Sequence, residues 1–521
     1  MTPQSTYHQS SEQNLSHITT RDWLQHWAIE TPTAIAIREV RDDGETGRVL
    51  TYEELNAWAT AATVWLQARG CKKGHRIALL AENTPEHFML FGAAQKTGCI
   101  LVPLNYRLTA DEIAYLLEDS TPSVVIVEEK YAALLATTSS TIAHIISLPD
   151  AIAEWKQLIN INAEQLETPI IPDVVISDTD ALFILYTSGT TGFPKGALYT
   201  HGMAYWNSVN TALRLDLTSN DHTIVCTPLF HTGGLNVLAT PLLHIGGSFS
   251  LMKKFDANAV LTLLASTHAT IFMGVPTMLQ MMKQSERFDH ENLDAVRYFI
   301  VGGEALPLPV IEAWQGRGIP IRQGFGMTEA GPNLFSLHHD DSVRKIGSIG
   351  TPNKYVEVRI VNDDGNDVST GERGELLLVG PIVTTGYWNK PDATREAFFD
   401  GWFRTGDVVI RDAEGFFYVV DRKKNMFISG GENVYPVEVE RVLVQHPCIA
   451  EAVVVGVPDV EWGEVGKAFV VLREGVTLTA GEVQAFCREK LAKYKIPKHV
   501  EFVRELPKND TGKINRRALQ S

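Results

Sequence analysis

Trp23, Leu24 and Trp27 fall at helical spacing between Arg21 and Glu30, and the same period runs from Tyr52 to Arg69. Thr51 precedes the second stretch with Glu54 three residues on, the spacing of a capping box, so both stretches are predicted as amphipathic helices. Short apolar or β-branched runs at 77–80, 100–103 and 124–127 alternate with helical segments such as 109–118. Such alternation predicts a largely parallel sheet wrapped by helices. Runs at 223–226, 248–252, 270–273 and 298–301 repeat the rhythm and predict a second α/β lobe.

From about Gly350 the texture changes to closely spaced strands and turns: 356–361, Asp363-Asp364-Gly365, 374–380 and 416–420. A third, β-rich lobe follows. After Asp421 come strands at 452–455, 468–472 and 500–503 and a helix over 480–491, a small α+β domain. The expected class is α/β: a polar leader at 1–20, a large N-terminal domain at 21–420 made of two α/β subdomains and a β-rich one, and a small α+β C-terminal domain at 421–521.

A length of 521 residues with 44% hydrophobic and 21% charged residues suits a large globular enzyme and disfavours disorder or a disulfide scaffold. The formal charge of −16 repels polyanions, so nucleic acid and anionic membrane are unexpected partners. Residues 484–521 nevertheless carry ten Lys or Arg against four Asp or Glu, a local excess suited to anionic ligands. Five scattered cysteines without CxxC spacing argue for a reducing compartment and against a zinc site. The first twenty residues hold no lysine, arginine or apolar block, and no run is long enough to span a membrane, so a cytoplasmic location is expected.

The strongest chemical signal is Tyr186-Thr187-Ser188-Gly189-Thr190-Thr191-Gly192-Phe193-Pro194-Lys195-Gly196, directly after an apolar strand. Three glycines, four small hydroxyl residues and a lysine can offer backbone N–H groups, hydroxyls and a positive charge to a polyphosphate. The spacing is not that of a Walker A loop, because Gly192 and Lys195 are three apart with a proline between.

This loop resembles that of the adenylate-forming superfamily, which includes acyl-CoA synthetases, 4-coumarate ligases, peptide-synthetase adenylation domains and firefly luciferase. Further motifs resemble the family's in order: Gly302-Gly303-Glu304-Ala305-Leu306, Gln323-Gly324-Phe325-Gly326-Met327-Thr328-Glu329, Gly401 to Asp407, Asp421-Arg422-Lys423-Lys424, Ser429 to Pro436, and Pro507 to Lys513. The resemblance covers roughly residues 20 to 517. It implies that ATP and a carboxylate give an acyl adenylate and pyrophosphate, and that a thiol, coenzyme A, then displaces AMP.

The resemblance also implies roles. Lys513 would stabilise charge between the acyl carboxylate and the α-phosphate. Glu329 would hold Mg²⁺ on the phosphates, with Thr328 near the α-phosphate. Thr187, Ser188, Gly189, Thr190, Thr191, Gly192 and Lys195 would cradle the phosphates. Gly303, Glu304, Gly324, Phe325, Gly326 and Met327 would lie along the adenine, and Phe325 stands where many relatives have tyrosine. Asp407 and Arg422 would take the ribose. His231, in Pro228-Leu229-Phe230-His231-Thr232-Gly233-Gly234, would gate an acyl pocket containing Gly233, Gly234, Leu235, Gly302, Gly326 and Pro332. Asp421 would be the hinge of a mobile C-terminal domain, and Ser429, Gly430, Gly431 and Glu432 would meet coenzyme A. Asn425 stands where many acyl-CoA synthetases have aspartate.

The apolar lining, with no evident arginine to pair a second carboxylate, favours a fatty or aryl monocarboxylate over malonate. Three other readings compete: an acyl-AMP ligase serving a carrier protein, a luciferase-like oxidase, and a nucleotide-binding relative without catalysis. The last should lack Lys513 or Glu329, and both are present. A homodimer fits the family.

Overall fold

The computed structural model describes residues 22–136, 142–165, 174–187, 194–303, 306–429, 432–460, 462–508 and 514–519. The leader 1–20 lies outside them. The chain packs as two compact units, Met1–Glu357 with Val379–Phe403, and Val358–Leu378 with Arg404–Ser521.

In the first unit, helices at Trp23–Glu30 and Tyr52–Ala68 form where the apolar period places them. Thr51 Oγ1 accepts the Glu54 N–H at 3.2 Å and the Glu54 carboxylate accepts the Thr51 N–H at 2.9 Å, closing the predicted capping box. A six-stranded sheet runs in the order 144–147, 124–127, 76–80, 100–103, 181–187, 195–200. Its first five strands are parallel, and Lys195–Thr200 returns antiparallel to Ala181–Thr187. The strands are apolar on both faces because helices cover both, and Trp65 and Trp155 meet edge to face at 5.8 Å beneath one layer.

The second lobe differs from expectation in its partners. His222–Val225 and Ser248–Met252 pair in parallel and join Ile35–Val40, whose Ile37 opposes Phe249. Ile271–Gly274 and Tyr298–Val301 belong to another sheet, in the order 271–274, 298–301, 321–325, 335–337, 351–352. The Thr270 N–H to His222 carbonyl bond, 2.9 Å, links the two. The pairing with residue 37 spans some two hundred positions, and local periodicity carries no information about it.

The second unit contains all but a few end residues of the β-rich meander through Glu357–Val361, Arg373–Val379, Trp402–Arg411 and Phe417–Arg422. Beyond it, strands at 427–429, 432–434, 449–459, 463–472 and 499–502 form one sheet, covered by helices Pro436–Leu443 and Ala480–Arg488. The 480 helix ends before the predicted Leu491, although the Leu491 N–H still reaches the Cys487 carbonyl at 2.8 Å.

Candidate active site

The two sides of the glycine-rich loop are the paired strands Ala181–Thr187 and Lys195–Thr200, with Thr187 opposite Lys195. Thr187 Oγ1 donates to the Lys195 carbonyl at 3.4 Å, and the Tyr115 hydroxyl donates to the Pro194 carbonyl at 3.2 Å. The loop therefore leaves and re-enters a rigid sheet. Ser188, Gly189, Thr190, Thr191 and Gly192 lie outside the described residues, as do Glu304, Gly430, Gly431 and Lys513.

The glycines of the adenine motifs separate into two kinds. A Cβ on Gly326 would stand 1.3 Å from the Pro332 carbonyl oxygen, so close backbone packing alone requires glycine there. A Cβ on Gly302 would find only the Gly324 oxygen, at 3.8 Å, and one on Gly324 nothing nearer than the Phe335 oxygen, at 3.7 Å. Neither contact is crowded, so packing does not demand glycine at either position. Together they leave a wall bare of side chains, the form of surface a flat ring can lie against. Gly303 adopts φ +92°, which glycine tolerates best. Phe325 is half-buried and meets Phe335 edge to face at 5.8 Å.

Glu329 follows in a short 3₁₀ turn, Thr328–Ala330, with Thr328 and Glu329 each 8% exposed. Its Oε1 accepts the Tyr387 hydroxyl at 3.0 Å, and its carbonyl accepts the Thr384 N–H at 2.7 Å. Lys195 Nζ sits 5.4 Å from the centre of the Tyr387 ring, within cation–π reach. Tyr387 thus joins the strand after the loop to the Glu329 turn. Its own segment is fixed: the Trp388 N–H bonds the Gly196 carbonyl at 2.8 Å, and Trp388 Nε1 bonds the Asp119 carbonyl at 3.0 Å.

A buried carboxylate whose tyrosine partner also meets a lysine fits Mg²⁺, a hard cation that takes one or two protein oxygens and completes its shell with phosphate and water. Among the described residues one trio of potential metal ligands converges, His338, His339 and Asp340, and Glu329 is not part of it. A cation at Glu329 would thus depend on phosphate oxygens for most of its shell.

In the acyl segment, Asn83 is the organiser. Its Nδ2 donates to the Thr227 and Met252 carbonyls at 2.9 and 3.0 Å, and its Oδ1 accepts the Leu229 N–H at 2.9 Å. His231 Nδ1 accepts the Gly233 N–H at 3.2 Å, which assigns the proton of a neutral ring to Nε2. The backbone then forms a π-helical turn, Leu235–Ala239, braced by Asn207 Nδ2 on the Asn236 carbonyl at 2.8 Å. Gly233 and Gly234 line a cavity of about 10 Å³. Leu235 does not; it is 1% exposed and lines a separate apolar cavity with His87 and Phe183. Pro332 is buried, its carbonyl against Gly326.

In the second unit, Asp407 is 2% exposed, lies opposite Arg422 in the strand pair, and meets Arg422 Nε at 2.5 Å. Asp421, also 2% exposed, accepts the Arg422 N–H at 2.6 Å and Asn425 Nδ2 at 3.0 Å on Oδ1, and the Val437 N–H at 2.8 Å on Oδ2. Asn425 is thus a donor to Asp421, a task an aspartate would not perform when ionised. Ser429 is buried and opposes exposed Glu432 across a hairpin.

Asn83 and Tyr387 were absent from the motif reading. The faint signal for Asn83 was its position just past an apolar strand, at the strand's carboxyl end where α/β sites form. Tyr387 gave none, since Gly386-Tyr387-Trp388 reads as an ordinary turn.

Residues 24–388 match the family described as AMP-binding enzyme, and 438–513 match the AMP-binding enzyme C-terminal domain. The chain belongs to this family, the adenylate-forming one the motifs resemble. It is an acid–thiol ligase of the AMP-forming class. It is 38% identical to a feruloyl-CoA synthase of an Amycolatopsis species over 94% of this chain and 96% of that protein. It is 37% identical to the long-chain-fatty-acid–CoA ligase FadD13 of Mycobacterium tuberculosis, over 90% and 92%. Among solved structures, the o-succinylbenzoate coenzyme A synthetase of Bacillus subtilis in complex with ATP and magnesium ion matches with a TM-score of 0.82 at 32% identity, covering 96% and 99%.

Proposed function

We propose that the protein is an ATP-dependent acyl-CoA synthetase acting on a fatty or aryl monocarboxylate. One observation carries the reading: Tyr387 holds buried Glu329 and lies under Lys195, the first residue of the strand after the glycine-rich loop. A carboxylate is a poor acyl donor because its leaving group would be oxide. Its oxygen therefore attacks the α-phosphorus of ATP, the bond to the β-phosphate breaks, and pyrophosphate leaves. The coenzyme A thiol then attacks the acyl carbonyl and AMP departs. Bound Mg²⁺ supplies charge neutralisation on the phosphates.

In this proposal Glu329 would hold that ion, and Lys195 with Thr187 receives the phosphates at the strand ends. The wall of Gly302, Gly303 and Gly324 with Phe325 and Met327 takes the adenine. Thr328 lies near the α-phosphate, Asp407 and Arg422 take the ribose, and Lys513 stabilises the reacting oxygens. Asp421 serves as hinge at the boundary of an N-terminal domain 21–420 and a C-terminal domain 421–521. The stretch Ser429 to Glu432 meets coenzyme A. His231, Gly233 and Gly234 border the acyl group. The names of the relatives, feruloyl-CoA synthase and long-chain-fatty-acid–CoA ligase, support both acid classes.

Among the described residues no helix is long and apolar enough to cross a membrane. A cytoplasmic homodimer belongs to the same proposal, and light scattering on the purified chain tests the dimer.

The deciding experiment is pyrophosphate release with ATP and Mg²⁺ over octanoate, palmitate, benzoate, 4-coumarate, 2-succinylbenzoate and malonate, with and without coenzyme A, using Lys513→Ala as control. Coenzyme-A-dependent turnover lost in the variant supports the synthetase. Adenylate without thioester replaces it with a carrier-protein ligase, and silence on every acid overturns it.

A further inference from the structure

The helix Ala110–Ser120 reaches both sides of the glycine-rich loop. The Tyr115 hydroxyl bonds the Pro194 carbonyl on the outgoing side, and Asp119, in the helix's last turn, meets Tyr186 on the incoming strand. The Asp119 side chain is 5% exposed and accepts two donors, the Tyr186 hydroxyl at 2.8 Å on Oδ2 and Lys390 Nζ at 2.6 Å on Oδ1. Its carbonyl accepts Trp388 Nε1 at 3.0 Å. The helix dipole also favours a cation at this end, which suits Lys390 to the place.

Tyr387 lies within this grip. Its segment extends the sheet beyond the strand Lys195–Thr200: Ala197 and Tyr387 form an antiparallel bridge, and the Leu198 N–H donates to the Gly386 carbonyl at 3.0 Å. Those contacts hold residues 386–388 to the outgoing strand. Asp119 ties residues 388 and 390 to the incoming strand through Tyr186, so the segment is clamped from both sides of the loop. A carboxylate so nearly buried is costly unless paired, and two charge-assisted bonds on one group make a rigid joint. Tyr387 carries the result onward, with its hydroxyl on Glu329 and its ring 5.4 Å from Lys195 Nζ.

We propose that Asp119 is a positioning residue for ATP: it sets where Tyr387 stands and, through Tyr387, where Glu329 and Lys195 receive the phosphates. The inference rests on the synthetase reading and adds to it a residue that acts on the nucleotide through other side chains.

The test measures the KM for ATP and for the acid in Asp119→Asn, Asp119→Ala and Lys390→Met, by pyrophosphate release on an acid the native enzyme turns over. Asparagine keeps the shape and one acceptor oxygen, and alanine removes both oxygens. The KM for ATP should rise about threefold in Asp119→Asn and about tenfold in Asp119→Ala, with the KM for the acid within about twofold of native. Calorimetric titration with a non-hydrolysable ATP analogue and Mg²⁺ should show the same order without turnover. A residue serving stability alone would lower the melting temperature and kcat and leave both KM values in place. The Lys390 side chain is 36% exposed, so Lys390→Met spares the core and supplies the reading if neither Asp119 variant folds. Its KM for ATP should rise about threefold. A KM for ATP within about 1.5-fold of native in every folded variant, or an equal rise in the KM for the acid, overturns the proposal and leaves the synthetase reading intact. A native enzyme silent on every acid of the panel overturns both.

Discussion

Replacing Tyr387 with phenylalanine isolates one atom of the candidate site. The ring stays, and with it the contact 5.4 Å from Lys195 Nζ; the backbone stays anchored through the Tyr387 N–H on Thr394 Oγ1 at 3.0 Å. The donor to Glu329 Oε1 disappears. Hydrogen bonds to charged groups contribute about 1.5–3 kcal/mol, and Glu329 is 8% exposed, so water replaces the donor poorly. The low end applies, because the Thr384 N–H still pins the Glu329 main chain and the carboxylate loses only its fixed orientation. About 1.4 kcal/mol corresponds to tenfold in an equilibrium constant.

The expected outcome is therefore a roughly tenfold rise in the Mg²⁺ concentration for half-maximal pyrophosphate release, with the KM for the acid little changed. Calorimetric titration of Mg²⁺ with a non-hydrolysable ATP analogue should show the same shift without turnover. Tyr387→Leu removes the ring as well, and should add a rise in the KM for ATP of a few-fold, matching a cation–π contact of about 0.5–1 kcal/mol. A Tyr387→Phe enzyme whose Mg²⁺ dependence stays within twofold of native by both measurements would refute the assignment of Tyr387 as the residue that positions Glu329.

Gly326→Ala should lower stability by about 1–3 kcal/mol, since its Cβ meets the Pro332 oxygen, whereas Gly302→Ala should leave thermal unfolding unchanged and raise the KM for ATP or acid. Equal effects on melting would contradict the distinction between them. Asn425→Asp puts a second carboxylate against Asp421 Oδ1 in place of a donor, and should cost about 1–2 kcal/mol in urea unfolding at neutral pH. Burial pushes the imidazoles of His87, His201 and His222 down to about 4, so the unfolded chain takes up their protons first. Their stabilisation is whole above the unfolded value of about 6.5 and is lost as pH falls toward 4; at pH 5.5 each costs about 1.4 kcal/mol. Denaturant unfolding of the first unit that is level between pH 7.5 and 5.5 would contradict it.

Much of the fold was legible because its signals are local. Apolar periodicity placed the helices at 23–30 and 52–68, and Thr51 with Glu54 announced a cap whose two bonds both form. Sheet membership was not legible. Nothing in the run 248–252 distinguishes a neighbour at 37 from one at 298, and the pairing was decided by long-range packing. The π-helical turn was equally silent, because the bond that braces it comes from distant Asn207 on the Asn236 carbonyl.

The candidate site divides along the same line. Residues expected to touch ATP or the acid sit in motifs because the chemistry prescribes their type and spacing: hydroxyls and a lysine for phosphate, a carboxylate for a cation, glycine where a ring approaches backbone. Residues that hold those groups in place carry no such prescription. Asn83 organises residues 227–229 from 144 positions away, and Tyr387 reaches Glu329 across 58. Any donor of the right length at the right place would serve either role, so the sequence bears no pattern for it.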